Sequence, residues 1–211
     1  MTHLLERLAR QPWLHYWEQR IVGLDFYPRV KASLSDAGAL QPGLRVLEIG
    51  CGQGILAEWF GEGVYVGVDT DFGSLRFAAS RVPRGRFLSG DATGLSFQDR
   101  FFDFVISVGI LHHLDDAQFS KHFQEAFRVL APEGKLIVFD CLKPDRKDFV
   151  RYGFSALERG NYLRTLEELK RCLSRFRPVA SPLTRSKTWL LQNYSIVLQK
   201  SESADFSGKF V

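Results

Sequence analysis

Short apolar runs alternate with amphipathic segments along this chain, and the alternation becomes regular from about residue 45. Phe102 to Ser107 and Lys135 to Phe139 are apolar at nearly every position, the pattern of strands covered on both faces. The segments between such runs carry apolar residues three and four apart, the period of a helix with one buried stripe. In order, the pattern predicts strand 45–49, helix 53–60, strand 64–68, helix 73–80, strand 85–89, strand 102–107, helix 117–130 and strand 134–140. Upstream, Leu4, Leu8, Trp13, Leu14, Trp17 and Ile21 describe an amphipathic helix interrupted at Pro12. A second helix, Tyr27 to Ala39, stops at Gln41-Pro42-Gly43. Downstream, Thr165 and Glu168 have the spacing of a capping box opening a helix to Leu173, and a β-prone stretch, Thr188 to Leu198, reads as the last strand. The sum is a doubly wound, mostly parallel α/β sheet with helices on both faces, which takes its ligand outside the carboxyl ends of the strands.

Composition narrows this picture without redirecting it. A chain of 211 residues, 45% hydrophobic and 13% aromatic, is enough for one sizeable core. Its parts are an amino-terminal helical lid or extension over 1–42, a main domain over 43–200 and a frayed tail over 201–211. No apolar run approaches the roughly 20 residues that span a bilayer, and the start mixes acid and base too early for a secretory signal, so a cytoplasmic location is expected. Cys51, Cys141 and Cys172 are odd in number and share no C-x-x-C spacing, which predicts neither a disulfide framework nor a metal site. Residues 1–134 carry 13 Lys/Arg against 16 Asp/Glu, whereas residues 135–187 carry 13 against 6. The basic last third either attracts an anionic group or is a solvated helical face.

The chemistry concentrates at strand ends. Val46 to Ile49 runs into Gly50, Gly52 and Gly54, a strand–loop–helix cradle whose glycines admit positive φ and close approach of a ligand to bare main chain. A dinucleotide fingerprint from Gly50 would need glycine at position 55, which is Ile55. Glu48, two residues ahead of the loop, repels a pyrophosphate and suits a ligand with an ammonium group. Asp69 ends the second strand, where a carboxylate can accept from both hydroxyls of a ribose; a helix N-cap is its duller role. Asp91 and Ala92 follow the third strand, where a carboxylate can accept from an adenine amino group or simply serve a turn. Phe72 is placed either to cover that base or to pack its helix. The fourth strand ends in Ser107-Val108-Gly109-Ile110-Leu111-His112-His113-Leu114, a small-residue turn followed by two histidines.

In this order of elements, residues about 44 to 141 resemble the class I S-adenosylmethionine-dependent methyltransferases. The resemblance implies a seven-stranded sheet with an antiparallel last strand and S-adenosylmethionine as cofactor, bound by a cofactor half, 43–141, with substrate-side elements over 142–200. It assigns Gly50, Cys51, Gly52 and Gly54 to the cofactor loop and Glu48 to the methionine end. Asp69 and Thr70 fall at the ribose, Asp91 and Ala92 at the adenine, and Ser107 beside the methionine. The run Arg128 to Leu136 is similar to the family's turn into its fifth strand.

The implied chemistry is methyl transfer to a small-molecule, lipid or glycan-intermediate acceptor, expected at oxygen, with an anionic group meeting the basic region. His112 and His113 stand at the mouth and are the candidates for proton removal; packing and capping the next helix is their competing role. Tyr16, Trp17, Phe26 and Tyr27 suit either an aromatic lid or the core. The run after strand four lacks the Asn/Asp-Pro-Pro-aromatic turn of enzymes that methylate base amines, and no Pro-Cys pair is present. No dedicated nucleic-acid module is visible, leaving RNA or protein as the alternative acceptors and a non-catalytic scaffold as the reading from another class.

Overall fold

The structure, a computed structural model, describes residue 16 and residues 26–144, 162–173, 179–180, 184–187 and 192–200. After helix α1 (Tyr27–Asp36) come β1 (Arg45–Ile49), a 3₁₀ turn (Leu56–Trp59), β2 (Val64–Asp69), α2 (Phe72–Arg81), β3 (Arg86–Ser89) and β4 (Phe102–Val108). A second 3₁₀ turn (Leu111–His113), α3 (Asp116–Val129), β5 (Leu130–Leu142), α4 (Leu166–Leu173), β6 (Val179–Ala180), β7 (Thr184–Lys187) and β8 (Gln192–Gln199) follow.

The sheet runs β3-β2-β1-β4-β5-β8-β6, with β7 also on β8. Strands β1 to β5 are mutually parallel and β8 is antiparallel to β5, with Lys135 opposite Gln199 and Leu142 opposite Gln192. The doubly wound sheet expected from the pattern is therefore present, with eight strands instead of seven because two short ones share β8. Strand order turns back between β1 and β4, so the crevice of such a sheet opens above their carboxyl ends.

Alternation along each strand sorts residues to two cores. Leu47, Val66, Val105, Leu136 and Val138 face α3 and α4; Val46, Tyr65, Phe104, Ile106 and Ile137 face α1 and the first 3₁₀ turn. Helix α3 offers Phe119, Phe123, Ala126 and Phe127, one stripe at helical spacing. Its first turn is fixed by a capping box, Asp115 with Gln118, and Asp71 caps α2 by accepting from Gly73 and Ser74. Thr165 and Glu168 form the capping box at α4 that their spacing predicts.

Some boundaries moved: helix α1 ends at Asp36, short of Ala39. The helix expected over 53–60 is only the 3₁₀ turn Leu56–Trp59, because Gly52 and Gly54 hold positive φ and the Gly61-Glu62-Gly63 run follows at once. Strand β5 begins at Leu130: the Ala131-Pro132-Glu133-Gly134 turn is absorbed as an irregularity in which Glu133 takes φ of 61°. Of the last strand, Gln192–Gln199 is described and pairs with a separate strand, Thr184–Lys187; positions 188–191 lie outside the described residues. The helix expected over 3–22, apart from Tyr16, also lies outside them, as does the 201–211 tail. Among the described residues, no helix is long and apolar enough to cross a membrane.

Candidate active site

The parallel strands deliver their carboxyl ends to one edge, where three loops meet. Gly50 and Cys51 each donate an amide hydrogen to the Val68 carbonyl, at 2.7 and 3.1 Å, which folds the glycine loop back over β2. Asp69 completes that fold: Oδ2 accepts from the Gly52 amide at 2.8 Å and Oδ1 from the Asp71 amide at 2.9 Å. Its neighbour Thr70 is exposed. At Gly54, with φ of 71°, an added Cβ would stand 2.9 Å from Ala78 Cβ and 3.2 Å from the Phe87 ring, so glycine there serves packing. At Gly52, with φ of 47°, an added Cβ would meet nothing within 4 Å, so the bare main chain faces open space. That opening beside the Asp69 carboxylate fits a polyhydroxylated ligand laid along the loop. Cys51 contributes backbone only: its thiol is buried against Gly67, and burial first, then the Glu48 and Asp69 charges, push its pKa far up.

Beneath the loop, Glu48 is 3% exposed and accepts a hydrogen bond from the Tyr65 hydroxyl. Burial pushes its carboxyl up to about 8; the Tyr65 bond opposes this and the Asp69 charge adds to it. Its ionised form would pair with an ammonium group. The raised value favours the protonated acid in the fold, so its contribution to stability is complete below the ordinary carboxylate value of 4.5 and is lost as pH rises through about 8. Thermal melts of the ligand-free protein are therefore expected to fall across this window, and Glu48→Gln to flatten the slope; an equally steep slope in the variant would refute the assignment.

At the far side, Asp91 Oδ1 accepts from the Thr93 amide at 2.7 Å and hydroxyl at 2.8 Å, and the amide bond leads in holding its carboxyl below the ordinary range. Phe72 exposes 65% of its surface beside Asp71 instead of packing its helix. Tyr16, by contrast, is buried against Phe77 and Arg81, a core position, and Phe26 packs edge-on against Phe139. Trp17 lies outside the described residues. Ser107 is fully buried, its hydroxyl 3.0 Å from His122 Nε2, so its side chain turns into the α3 side of the core and only its backbone adjoins the loops. Burial drives His122 down to about 4, keeping that ring neutral.

The two candidate histidines differ. His112 is buried, with Nδ1 2.5 Å from Asp140 Oδ1 at the end of β5. The Cys141 amide donates to the same oxygen at 2.6 Å and the Leu111 amide to Oδ2 at 2.5 Å. Burial pushes the Asp140 carboxyl up, but the His112 charge, the His112 bond and these two amides outweigh it and hold it below the ordinary value. An ionised carboxylate only accepts, so His112 Nδ1 carries a proton, and in the neutral form of the ring the lone pair is then on Nε2. His113 is exposed, its ring centroid 4.2 Å from that of His112, and burial of its inner side followed by the His112 charge lowers its pKa. This turn adjoins the glycine loop: a Cβ on Gly50 would lie 2.7 Å from Ile110 Cδ1. Donor atoms of His112, Asp140 and Cys141 all lie within 4.8 Å of one another, but both Asp140 oxygens are already engaged and the Cys141 thiol donates to Asn193 Oδ1 at 3.4 Å. The cluster thus reads as a hydrogen-bonded relay.

Asp140 was absent from the sequence candidates, although an acid closing an apolar strand was a visible signal. Arg164, which binds the His112–His113 turn, and Tyr65, which donates to Glu48, carried none.

Residues 47–138 match the family model described as a methyltransferase domain. Over 112 residues the chain is 37% identical to demethylmenaquinone methyltransferase of Renibacterium salmoninarum, covering 52% of this chain and 46% of that protein. Over 105 residues it is 36% identical to fatty-acid O-methyltransferase of Mycolicibacterium smegmatis, covering 47% and 38%. The alignments thus span less than half the length of these curated relatives. Magnesium protoporphyrin IX methyltransferase from Synechocystis, solved with bound SAH, shares the fold at a TM-score of 0.67 and 19% identity over 86% of this chain and 85% of that one. With its domain match at 47–138 and its sheet order, the chain carries a methyltransferase domain with the fold of the class I S-adenosylmethionine-dependent methyltransferases.

Proposed function

We propose that the protein methylates a hydroxyl on a small-molecule, lipid or glycan-intermediate acceptor, with His112 as general base. The His112–Asp140 contact at the carboxyl ends of β4 and β5, beside the glycine loop, carries this reading. The Gly50–Gly54 loop would lie along the cofactor with its bare main chain at Gly52, Glu48 would take the ammonium group, Asp69 the ribose and the Asp91–Ala92 turn the adenine, with Phe72 covering the base. When bound, S-adenosylmethionine supplies a methyl group on a positively charged sulfur, which leaves as a neutral thioether as the acceptor oxygen bonds to carbon. The chain's own task is then to align the acceptor, exclude water and remove one proton. Alignment of this kind is worth about 7–11 kcal/mol. His112 Nε2 takes the hydroxyl proton while Asp140 stabilises the resulting imidazolium, which supplies about 10²- to 10⁴-fold. Segment 142–200 forms the acceptor side, and its surplus of cations suits an acceptor with an anionic group.

The test is transfer of labelled methyl from S-adenosylmethionine to a panel of a hydroxynaphthoquinol, a hydroxylated fatty acid, a simple phenol, a fatty-acid carboxylate and bulk RNA. Label in a hydroxylated small molecule, lost in His112→Asn, is the expected result. Label in RNA alone would move the acceptor to another class, and cofactor binding without transfer to any acceptor would favour a scaffold.

A further inference from the structure

Residues 162–165 cross the turn that carries His112 and His113, and at their centre Arg164 is only 9% exposed. Its guanidinium reaches both ends of that turn: Nη1 donates to the Leu111 carbonyl at 3.0 Å and Nη2 to the Leu114 carbonyl at 2.9 Å. Nη1 also donates to the Tyr162 carbonyl at 3.3 Å, and Nη2 and Nε meet Asp116 Oδ1 at 2.9 and 3.3 Å. The group lies over the Phe119 ring, 4.4 Å from its centroid. Backbone bonds bind the same segment to the same turn. The Tyr162 amide donates to the His112 carbonyl at 3.0 Å, and the Lys143 amide to the Arg164 carbonyl at 2.9 Å.

A single 3₁₀ turn has poor internal hydrogen bonding and leaves carbonyls over at its end. Here the His112 and Leu114 carbonyls accept from residues 162–164, about fifty positions away in sequence, and the Leu111 carbonyl, which accepts from the Leu114 amide at 3.2 Å, takes a second donor from the same segment. Burying a cation is costly unless its donors are engaged. The Asp116 side chain is 85% exposed, so that ion pair is solvent-screened and does little to offset the cost. What suits arginine to this place is the rigid fork, which spans two carbonyls at once where a lysine ammonium offers one point.

We infer that Arg164 is a positioning residue for His112: it clamps the backbone of the His112–His113 turn, so that the imidazole stays against Asp140. Asp140 grips the turn from the sheet side, through the Leu111 amide and His112 Nδ1, and Arg164 grips it from the acceptor side, through the carbonyls. The inference rests on His112 acting as base.

The experiment uses the full chain with ¹⁵N-labelled histidine and S-adenosylhomocysteine as probe. In the wild type, His112 is expected as the Nδ1-protonated tautomer with a protected Nδ1 proton. Arg164→Met is expected to lose that protected proton, with Arg164→Lys recovering part of it, while both bind S-adenosylhomocysteine within about threefold of wild type. A merely structural arginine would lower the melting temperature and leave the His112 signal unchanged, and that result overturns the inference. Should Arg164→Met fail to fold, Arg164→Lys with a wild-type His112 spectrum overturns it equally. Full activity in His112→Asn would instead remove the base reading, an outcome separable from the spectral one.

Discussion

Asp140→Asn is expected to lower the rate constant for methyl transfer to a hydroxyl acceptor by about 10²- to 10⁴-fold, the worth of a positioned general base. Asp140 accepts from three donors, the Leu111 amide, the Cys141 amide and His112 Nδ1. An asparagine has one accepting oxygen and turns an NH₂ group toward one of these donors. With the NH₂ at the Oδ1 position it faces His112 Nδ1 and the Cys141 amide together, and His112 exchanges tautomers to accept at Nδ1, which places its proton on Nε2 and removes the base; in either orientation the charge that stabilises the imidazolium is lost. Geometry and size are otherwise conserved, so S-adenosylhomocysteine affinity should stay near wild type. The two measurements separate the roles: an unchanged rate would remove His112 and Asp140 from the chemistry, whereas a matched fall in affinity would make Asp140 part of the cofactor site.

Asp69→Ala should have the largest effect on the cofactor itself. Hydrogen bonds to charged groups are worth about 1.5–3 kcal/mol, and about 1.4 kcal/mol is tenfold in affinity, so loss of the proposed ribose contact should weaken S-adenosylhomocysteine binding about 10- to 100-fold. A second effect acts in the same direction. The Gly52 amide, 2.8 Å from Asp69 Oδ2, loses the acceptor that shapes the loop. Asp69→Asn keeps an oxygen for that amide and should recover part of the loss. Calorimetry checks both, and an alanine variant with wild-type affinity would show that the carboxylate only props the loop.

The strand-end positions of Gly50, Asp69, Asp91 and His112 were legible because each follows an apolar run whose period is local. Roles were less so. The resemblance places Ser107 beside the methionine, near the end of β4; side chains alternate across a strand, and its parity sends the hydroxyl to His122. The helix after the glycine loop was overcalled because apolar spacing over 53–60 says nothing of how far positive φ persists through Gly54. Arg164 looked like one more cation in a basic stretch.

What the chain determines by itself is the alternating pattern, hence a parallel sheet with a glycine loop at the end of β1 and acids at the ends of β2 and β3. These follow from periodicity and backbone freedom within a few residues. Tertiary structure alone decided that Glu48 lies under Tyr65, that His112 and not His113 meets Asp140, and that Arg164 takes up the carbonyls of a distant turn. Each joins residues 17 to 50 positions apart. Their meeting depends on strand order and side-chain parity, and burial then sets which groups hold or release a proton.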